Sequence, residues 1–143
     1  MFGKKQNLKT VSAETAQKQL DDFFEYYGYD NEQGFLDAQK QDDADAFSST
    51  FERIKRGIKM GFIDISENED GEISVTQVTK KGSELVFPEI SAKNKSEMRA
   101  VNEFTKIHQL AGSMTGVGYE GICKLKGSDL SNCESIATLF LLV

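Results

Sequence analysis

The chain has 143 residues with a net charge of −6 at pH 7, 38% hydrophobic residues, 10 phenylalanines and no tryptophan, which suffices for one domain with a modest core. No apolar run approaches the roughly 18 to 20 residues that a membrane-spanning helix needs, and the first ten residues lack the apolar block of a secretory signal. Two cysteines, Cys123 and Cys133, favour a reduced, cytoplasmic protein.

The negative charge is concentrated in the N-terminal third. Residues 12–50 carry ten acidic residues against two lysines, a local charge of −8, whereas the rest of the chain is nearly balanced. Ser12 is the expected N-cap of a first amphipathic helix that ends near Gly28, and a short helix around Phe35 follows. We therefore predict an acidic, helical N-terminal segment over residues 1–46.

One stretch, "FERIKRGIKM", is locally basic. On a helix its four cations spread around much of the circumference, so they do not form the basic face that nucleic-acid binding needs; they are Arg53, Lys55, Arg56 and Lys59. The acidic N-terminal segment would also be repelled by phosphates. A nucleic-acid partner is therefore not expected, and neither is a membrane.

A second long helix is predicted up to Gly61, after which the hydrophobic period changes from about 3.6 to 2. Three short strands then follow in the sequence, "FIDIS", "EISVTQV" and "ELVF". The Asp-Gly pair at 70–71 and the Lys-Gly pair at 81–82 are typical of hairpin turns between adjacent strands. We therefore predict an antiparallel meander of three strands.

Two helices are predicted after the sheet. The first covers residues 95–114 and places apolar residues on one face: Met98, Val101, Phe104, Ile107, Leu110 and Ala111. The second begins with Ser128 as its cap and runs to the C-terminus. The predicted fold class is α+β, mainly helical, with the meander between two N-terminal and two C-terminal helices and an α+β domain over residues 47–143.

Between these last two helices, Gly116, Gly118 and Gly121 form G-x-G-x-x-G, the spacing of a dinucleotide phosphate loop. Such a loop works when a strand leads into it and a helix N-terminus follows. Here an amphipathic helix leads in, and no acidic residue ends a second strand about 20 residues later. We therefore expect the glycines to end one helix and turn the chain towards the next, and we expect no cofactor.

The stretch "SENEDGEISVTQ" matches the interior of an EF-hand calcium loop, with Asn68 and Asp70 at the third and fifth positions. Both ends depart from that pattern, because Ser66 replaces an aspartate and Gln77 replaces the bidentate carboxylate. Asn68 and Asp70 are thus weak candidate metal ligands of a degenerate calcium-binding module. The favoured interpretation is a polar hairpin turn without a metal.

His108 is the only histidine in the chain. Nothing in the spacing supports a catalytic pair between His108 and either cysteine, and one histidine with two cysteines is too few for a structural zinc site. The position beside Ile107 on a helix favours a half-buried surface histidine. No catalytic residue is predicted, and we expect the protein not to be an enzyme.

Residues 47–141 contain a further pattern. The stretch "FERIKRGIKMGFIDISENEDGEISVTQV" is followed by a turn at residues 114–116. A short segment at residues 125–129 then leads into a final helix that ends in "FL". In this order the chain resembles the tail assembly chaperones of long-tailed bacteriophages. Two features depart from that family: the Pro-Glu pair at 88–89 stands where an arginine is common, and the acidic N-terminal helix has no clear counterpart.

The resemblance implies a non-enzymatic protein of the host cytoplasm that protects the phage tape-measure protein and recruits tail-tube subunits to it. A tape-measure protein is a long helix with an apolar face, and an amphipathic helical groove can cover such a face. The alternative is a structural component of the virion, such as a tail or head–tail connector subunit.

The last five residues, "LFLLV", are apolar, which is unusual for a solvated C-terminus. They either complete the core or form a surface for a partner or for self-association. Self-association into a homo-oligomer is therefore one of the alternatives. The candidate partner-binding residues are Leu139, Phe140, Leu141, Leu142 and Val143.

Overall fold

The computed structural model describes residues 8–143, which form seven helices and a three-stranded sheet. The first three helices are α1 (Ala13–Tyr26), α2 (Glu32–Asp37) and α3 (Gln41–Met60). The strands are β1 (Ile63–Glu67), β2 (Ile73–Val78) and β3 (Glu84–Phe87). The last four helices are α4 (Ala92–Ser96), α5 (Glu103–Thr115), α6 (Gly118–Ile122) and α7 (Gly127–Leu142). The predicted α+β class is confirmed.

The three strands form an antiparallel sheet in the order β1-β2-β3. Val75 in the central strand lies opposite Ile65 on one side and Phe87 on the other, and all three side chains are buried. The outer edge of β1 is covered, because the side-chain oxygen of Gln19 accepts the backbone N–H of Ile65 at 2.8 Å. An edge occupied in this way is a poor template for pairing with another strand.

The N-terminal helices begin where the capping residues predict. The Ser12 hydroxyl accepts the backbone N–H of Thr15 at 3.1 Å and starts α1, while the Asn31 side chain accepts that of Gly34 at 2.7 Å and starts α2. Each contact satisfies an amide that the first helical turn leaves without a backbone partner. Gly61, with a positive φ of 85°, ends α3 as predicted.

The helices and the sheet share one aromatic core. Phe24 of α1 lies 4.9 Å from the ring of Phe35 and 5.0 Å from that of Phe51. Phe23 reaches the last helix, with its ring centroid 5.3 Å from that of Phe140. These contacts place the acidic N-terminal helices in the same core as the C-terminal helix. The predicted domain boundary, after residue 46, falls within α3.

The prediction of one helix over residues 95–114 is wrong, because this segment contains the end of α4, a non-helical connection and all of α5 except its last residue. The Asn102 side chain accepts the backbone N–H of Thr105 at 3.1 Å and starts α5. The side-chain oxygen of Gln109 accepts the N–H of Ala100 at 3.0 Å, which holds the non-helical connection in place. Val101 precedes the cap and is therefore not on the buried face of α5.

The predicted N-cap of the last helix is also wrong. Lys126 is the N-cap of α7, so Ser128 lies within the first turn. The carboxylate of Asp129 accepts the backbone N–H of Lys80 at 3.1 Å, and its carbonyl accepts the Gln77 side-chain amide at 2.7 Å. These contacts attach the start of α7 to β2 and to the turn that follows β2.

Candidate functional site

The glycine-rich stretch is a connection between helices, as the sequence predicts. Gly116 ends α5 with a φ of 78°, and α6 begins at Gly118. No strand of residues 8–143 leads into the turn. Gly112 has no room for a side chain, because an added Cβ would lie 2.6 Å from the carbonyl oxygen of Gly118. Gly116 and Gly118 have open space around them and positive φ angles of 78° and 76°, so the glycine spacing serves the turn, whereas Gly112 serves the close packing of α5 against the chain that follows it.

The acidic loop forms the turn between β1 and β2. The side-chain oxygen of Asn68 accepts the backbone N–H groups of Asp70 and Glu72, each at 2.9 Å. Gln77, at the position of the last EF-hand ligand, lies in β2 and is fully buried. The predicted hairpin turn is present, and a strand stands where an EF-hand would have its exiting helix.

The single histidine takes part in a contact between two helices. The Nε2 atom of His108 in α5 lies 2.9 Å from a carboxylate oxygen of Glu134 in α7, and both side chains are partly buried. Cys123 is exposed and Cys133 is buried, and both thiols are free. Burial, with a smaller effect of the Glu134 charge, raises the pKa of Cys133 to about 12, so its thiol is unsuited to nucleophilic chemistry at neutral pH.

The five apolar C-terminal residues divide between core and surface. Leu139 and Phe140 are buried in the core of the chain. Leu142 and Val143 are half-buried and pack against that core, whereas Leu141 is 36% exposed. Of the two alternatives that the sequence leaves open, completion of the core applies to Leu139 and Phe140, which are not accessible to a partner in this structure.

A cleft lies between α3 and the start of α7, with a volume of about 570 Å³. We call it the α3–α7 cleft, and its main lining residues are Arg53, Arg56, Met60, Phe62, Lys80 and Asn132. Arg53, Arg56 and Met60 lie at three- and four-residue spacing, so they follow one side of α3. The cleft therefore combines an apolar wall with three cationic side chains.

The basic residues of α3 have different environments. Lys55 is held by Glu32 at 2.9 Å and by Glu52 at 2.7 Å. Arg53 and Arg56, by contrast, form no ion pair with an acidic residue among residues 8–143 and both line the cleft. The even spread of all four cations around the helix did not predict this site. The three-residue spacing of the two arginines was the available signal.

A second surface lies at the beginning of α5. Val101 is 93% exposed and Phe104 is 69% exposed; we call these two residues the Val101–Phe104 patch. Phe104 is the only exposed phenylalanine in the part of the chain that the structure describes. The apolar spacing predicts both side chains on one face of a single helix, whereas the Asn102-Glu103 pair indicates that a helix begins here.

The described residues contain neither a cluster of metal ligands nor a helix that could span a membrane. Within residues 8–143, no group of three or more histidine, cysteine, aspartate or glutamate side chains is arranged to hold a metal ion. Across the same residues, the helices are all too short or too polar to cross a bilayer.

Comparison with known proteins gives no relative: no protein-family model, no curated protein and no solved structure matches this chain.

Proposed function

We propose that this chain is a non-enzymatic assembly chaperone of a phage tail, which binds the tape-measure protein in the host cytoplasm and recruits tail-tube subunits to it. The observation that carries the proposal is the exposure of Val101 and Phe104, three residues apart, where a helix starts. The sequence resemblance over residues 47–141 supplies the identity of the partner.

The Val101–Phe104 patch is costly to leave in water. Covering a phenylalanine or valine side chain contributes roughly 1.5–3 kcal/mol each when burial is complete. Six of the other phenylalanines in the described chain are buried and two are half-buried. Phe104 is therefore more exposed than every other phenylalanine in residues 8–143. An exposed apolar patch on an otherwise well-packed protein is typical of an interaction surface.

The chemistry of the proposed partner matches this surface. A tape-measure protein presents a long apolar helical face, and such faces bind to other proteins through a few large apolar side chains. Phe104 provides such a side chain on the first turn of α5, and Val101 provides another just before the Asn102 cap that starts the helix.

The test is co-purification with the tape-measure protein of the phage that encodes the chain. The two proteins are co-expressed, and the wild type is compared with the double variant Val101→Ser, Phe104→Ser. Both positions are exposed, so the variant is expected to fold normally. We expect the wild type to recover the tape-measure protein and the variant to lose most of it.

The matched control is the double variant Val86→Ser, Val117→Ser, which removes two apolar side chains that are 46% and 44% exposed elsewhere. This control should recover as much tape-measure protein as the wild type. Equal recovery by all three proteins would contradict the assignment of the patch. Recovery by none, together with the presence of the chain in purified particles, would favour the virion component instead.

A further inference from the structure

The α3–α7 cleft has a charge that its surroundings do not neutralise. Arg53, Arg56 and Lys80 line it, and none of the three side chains forms an ion pair within residues 8–143. The acidic residue of the first α7 turn, Asp129, directs its carboxylate to the backbone N–H of Lys80. One negative charge therefore accompanies three positive ones, and the cleft stays cationic.

Asn132 adds a neutral hydrogen-bonding group to the cleft. The residue is 8% exposed and lines the cleft. Among residues 8–143, the side-chain atoms that are both fully buried and without a partner belong to Tyr27 and Gln77, so the Asn132 amide still reaches the solvent of the cleft. An amide in this position can donate to an oxygen that enters the cleft.

The other lining residues of the cleft are apolar or carry hydroxyl groups, and they indicate which further ligand groups can bind there. Met60 is 52% exposed and lies in the cleft beside Phe62, so an apolar body can contact them. Ser128 and Ser131 add two hydroxyl groups from the first turns of α7. The volume of about 570 Å³ is in the range of small-molecule sites, roughly 300–1,000 Å³.

We propose that the α3–α7 cleft binds a small phosphate monoester, with the phosphate between Arg53, Arg56 and Asn132 and its apolar body against Met60 and Phe62. Arginine suits a phosphate because its planar group offers parallel N–H donors. A phosphate monoester carries close to two negative charges at neutral pH, which fits the excess of cations in the cleft better than a single carboxylate does.

The proposal does not depend on the role in tail assembly. The cleft residues lie on α3, the connection from α3 to β1, the β2–β3 turn and α7, whereas the Val101–Phe104 patch precedes and begins α5. A variant of the cleft is therefore expected to leave binding of the tape-measure protein unchanged, and either proposal can fail without the other.

Nuclear magnetic resonance titration tests the site with phenyl phosphate as the probe. The ¹⁵N-labelled chain is titrated at fixed ionic strength, since phosphate binding depends on salt. We expect saturable shifts confined to the amides of α3, the β2–β3 turn and the first two turns of α7. Inorganic phosphate and benzoate should each bind more weakly, because one lacks the apolar body and the other the second charge.

Two variants and a control complete the test. The double variant Arg53→Gln, Arg56→Gln should weaken phenyl phosphate binding by about tenfold or more. Asn132→Asp, which keeps the side-chain shape but adds a negative charge, should weaken it similarly, with a thermal melt to verify folding. The double variant Lys93→Gln, Lys95→Gln removes the same charge from α4 and should leave the affinity within about twofold.

Several results would overturn the proposal. These are the absence of saturable shifts, shifts that map outside the cleft, or an equal loss of affinity in the α4 control, which would indicate attraction by net charge alone. Inorganic phosphate or benzoate binding as tightly as phenyl phosphate would likewise exclude a phosphate monoester as the ligand.

Discussion

At Gly112 a single methyl group would have no room. An added Cβ would lie 2.4 Å from the carbonyl carbon of Gly118, and 2.6 Å from that carbonyl's oxygen and from the amide nitrogen of Tyr119. These are backbone atoms, so no rotamer change relieves the contact. We expect Gly112→Ala to lower the free energy of unfolding by about 1–3 kcal/mol, as measured by urea denaturation.

Gly34 provides the control for this substitution. It lies inside α2, and a Cβ there would approach nothing closer than 3.4 Å. Alanine is favoured over glycine within a helix by up to about 1 kcal/mol, so Gly34→Ala should be neutral or stabilising. An unchanged urea midpoint for Gly112→Ala would contradict the close packing of α5 against α6.

The two cysteines should differ in reactivity. Burial raises the pKa of the Cys133 thiol to about 12, so almost no thiolate forms there at pH 8, whereas Cys123 is exposed. We expect iodoacetamide at pH 8 to modify Cys123 readily and Cys133 only after unfolding, as read by mass spectrometry. Comparable rates of modification at both positions in the native protein would contradict the burial of Cys133.

At the scale of single residues, the sequence predicts the helix caps and helix ends that depend on neighbouring residues alone. Ser12 as a cap and Gly61 as a helix end follow from local hydrogen bonding and backbone conformation. The reason for Gly112 and the position of Asn132 in the cleft could not be predicted, because each depends on a segment or cavity that only the folded chain brings near.

Among the elements, a polar network joins the three N-terminal helices. Lys55 of α3 contacts Glu32 of α2 at 2.9 Å, and Gln17 of α1 donates to Glu32 at 2.8 Å and accepts from Lys55 at 3.0 Å. Glu32 is only 7% exposed. We expect Glu32→Gln to lower the free energy of unfolding by about 1–3 kcal/mol, because it removes a charged partner from a largely buried contact.

The control is an ion pair of the same type at the surface. Lys18 and Asp22 lie 2.8 Å apart with side chains that are 75% and 46% exposed. Asp22→Asn should leave the urea midpoint within experimental error, because exposed pairs contribute little. If both variants lose the same stability, the Glu32 contact is not worth more than a surface pair.

The order of elements was more predictable than their boundaries. The change of hydrophobic period after Gly61 predicted the sheet, and both hairpin turns lie at the predicted dipeptides. The interruption between α4 and α5 was missed because Val101 and Phe104 continue the apolar spacing of a helix. Periodicity records apolar side chains, and it does not distinguish those that face the core from those that are exposed to solvent.

For the whole molecule, stability should fall at alkaline pH. Burial raises the pKa of Cys133 from 9.0 to about 12 and that of Tyr27 above its ordinary 10.0. For Lys55, burial lowers the pKa but the bonds and charges of Glu52 and Glu32 outweigh it, so the pKa is raised above 10.5. Each group has a higher pKa in the folded chain, so its contribution is complete below its unfolded pKa and is lost as pH rises.

Urea denaturation at pH 7, 9 and 11 measures this dependence. The midpoint should change little between pH 7 and 9 and then fall by pH 11, with a smaller fall in Cys133→Ala relative to its own value at pH 7. A midpoint that stays constant to pH 11 would contradict the burial of these groups.

The assembly of the whole molecule was the least predictable level. Amphipathic spacing predicted that α1 buries one face, but it did not identify α7 as the neighbour, although Phe23 lies 5.3 Å from Phe140. Contacts between such distant parts of the sequence depend on the arrangement of all the elements together. For the same reason the sequence did not predict that the α3–α7 cleft would form.

Suppression of tape-measure aggregation tests the proposed function most directly. The tape-measure protein is diluted from denaturant, and light scattering is followed with and without an equimolar amount of this chain. We expect the wild type and the Arg53→Gln, Arg56→Gln variant to suppress scattering, and the Val101→Ser, Phe104→Ser variant to lose that effect. Scattering that the wild type does not reduce, or that the Val101→Ser, Phe104→Ser variant reduces equally well, would contradict a chaperone that binds through the Val101–Phe104 patch.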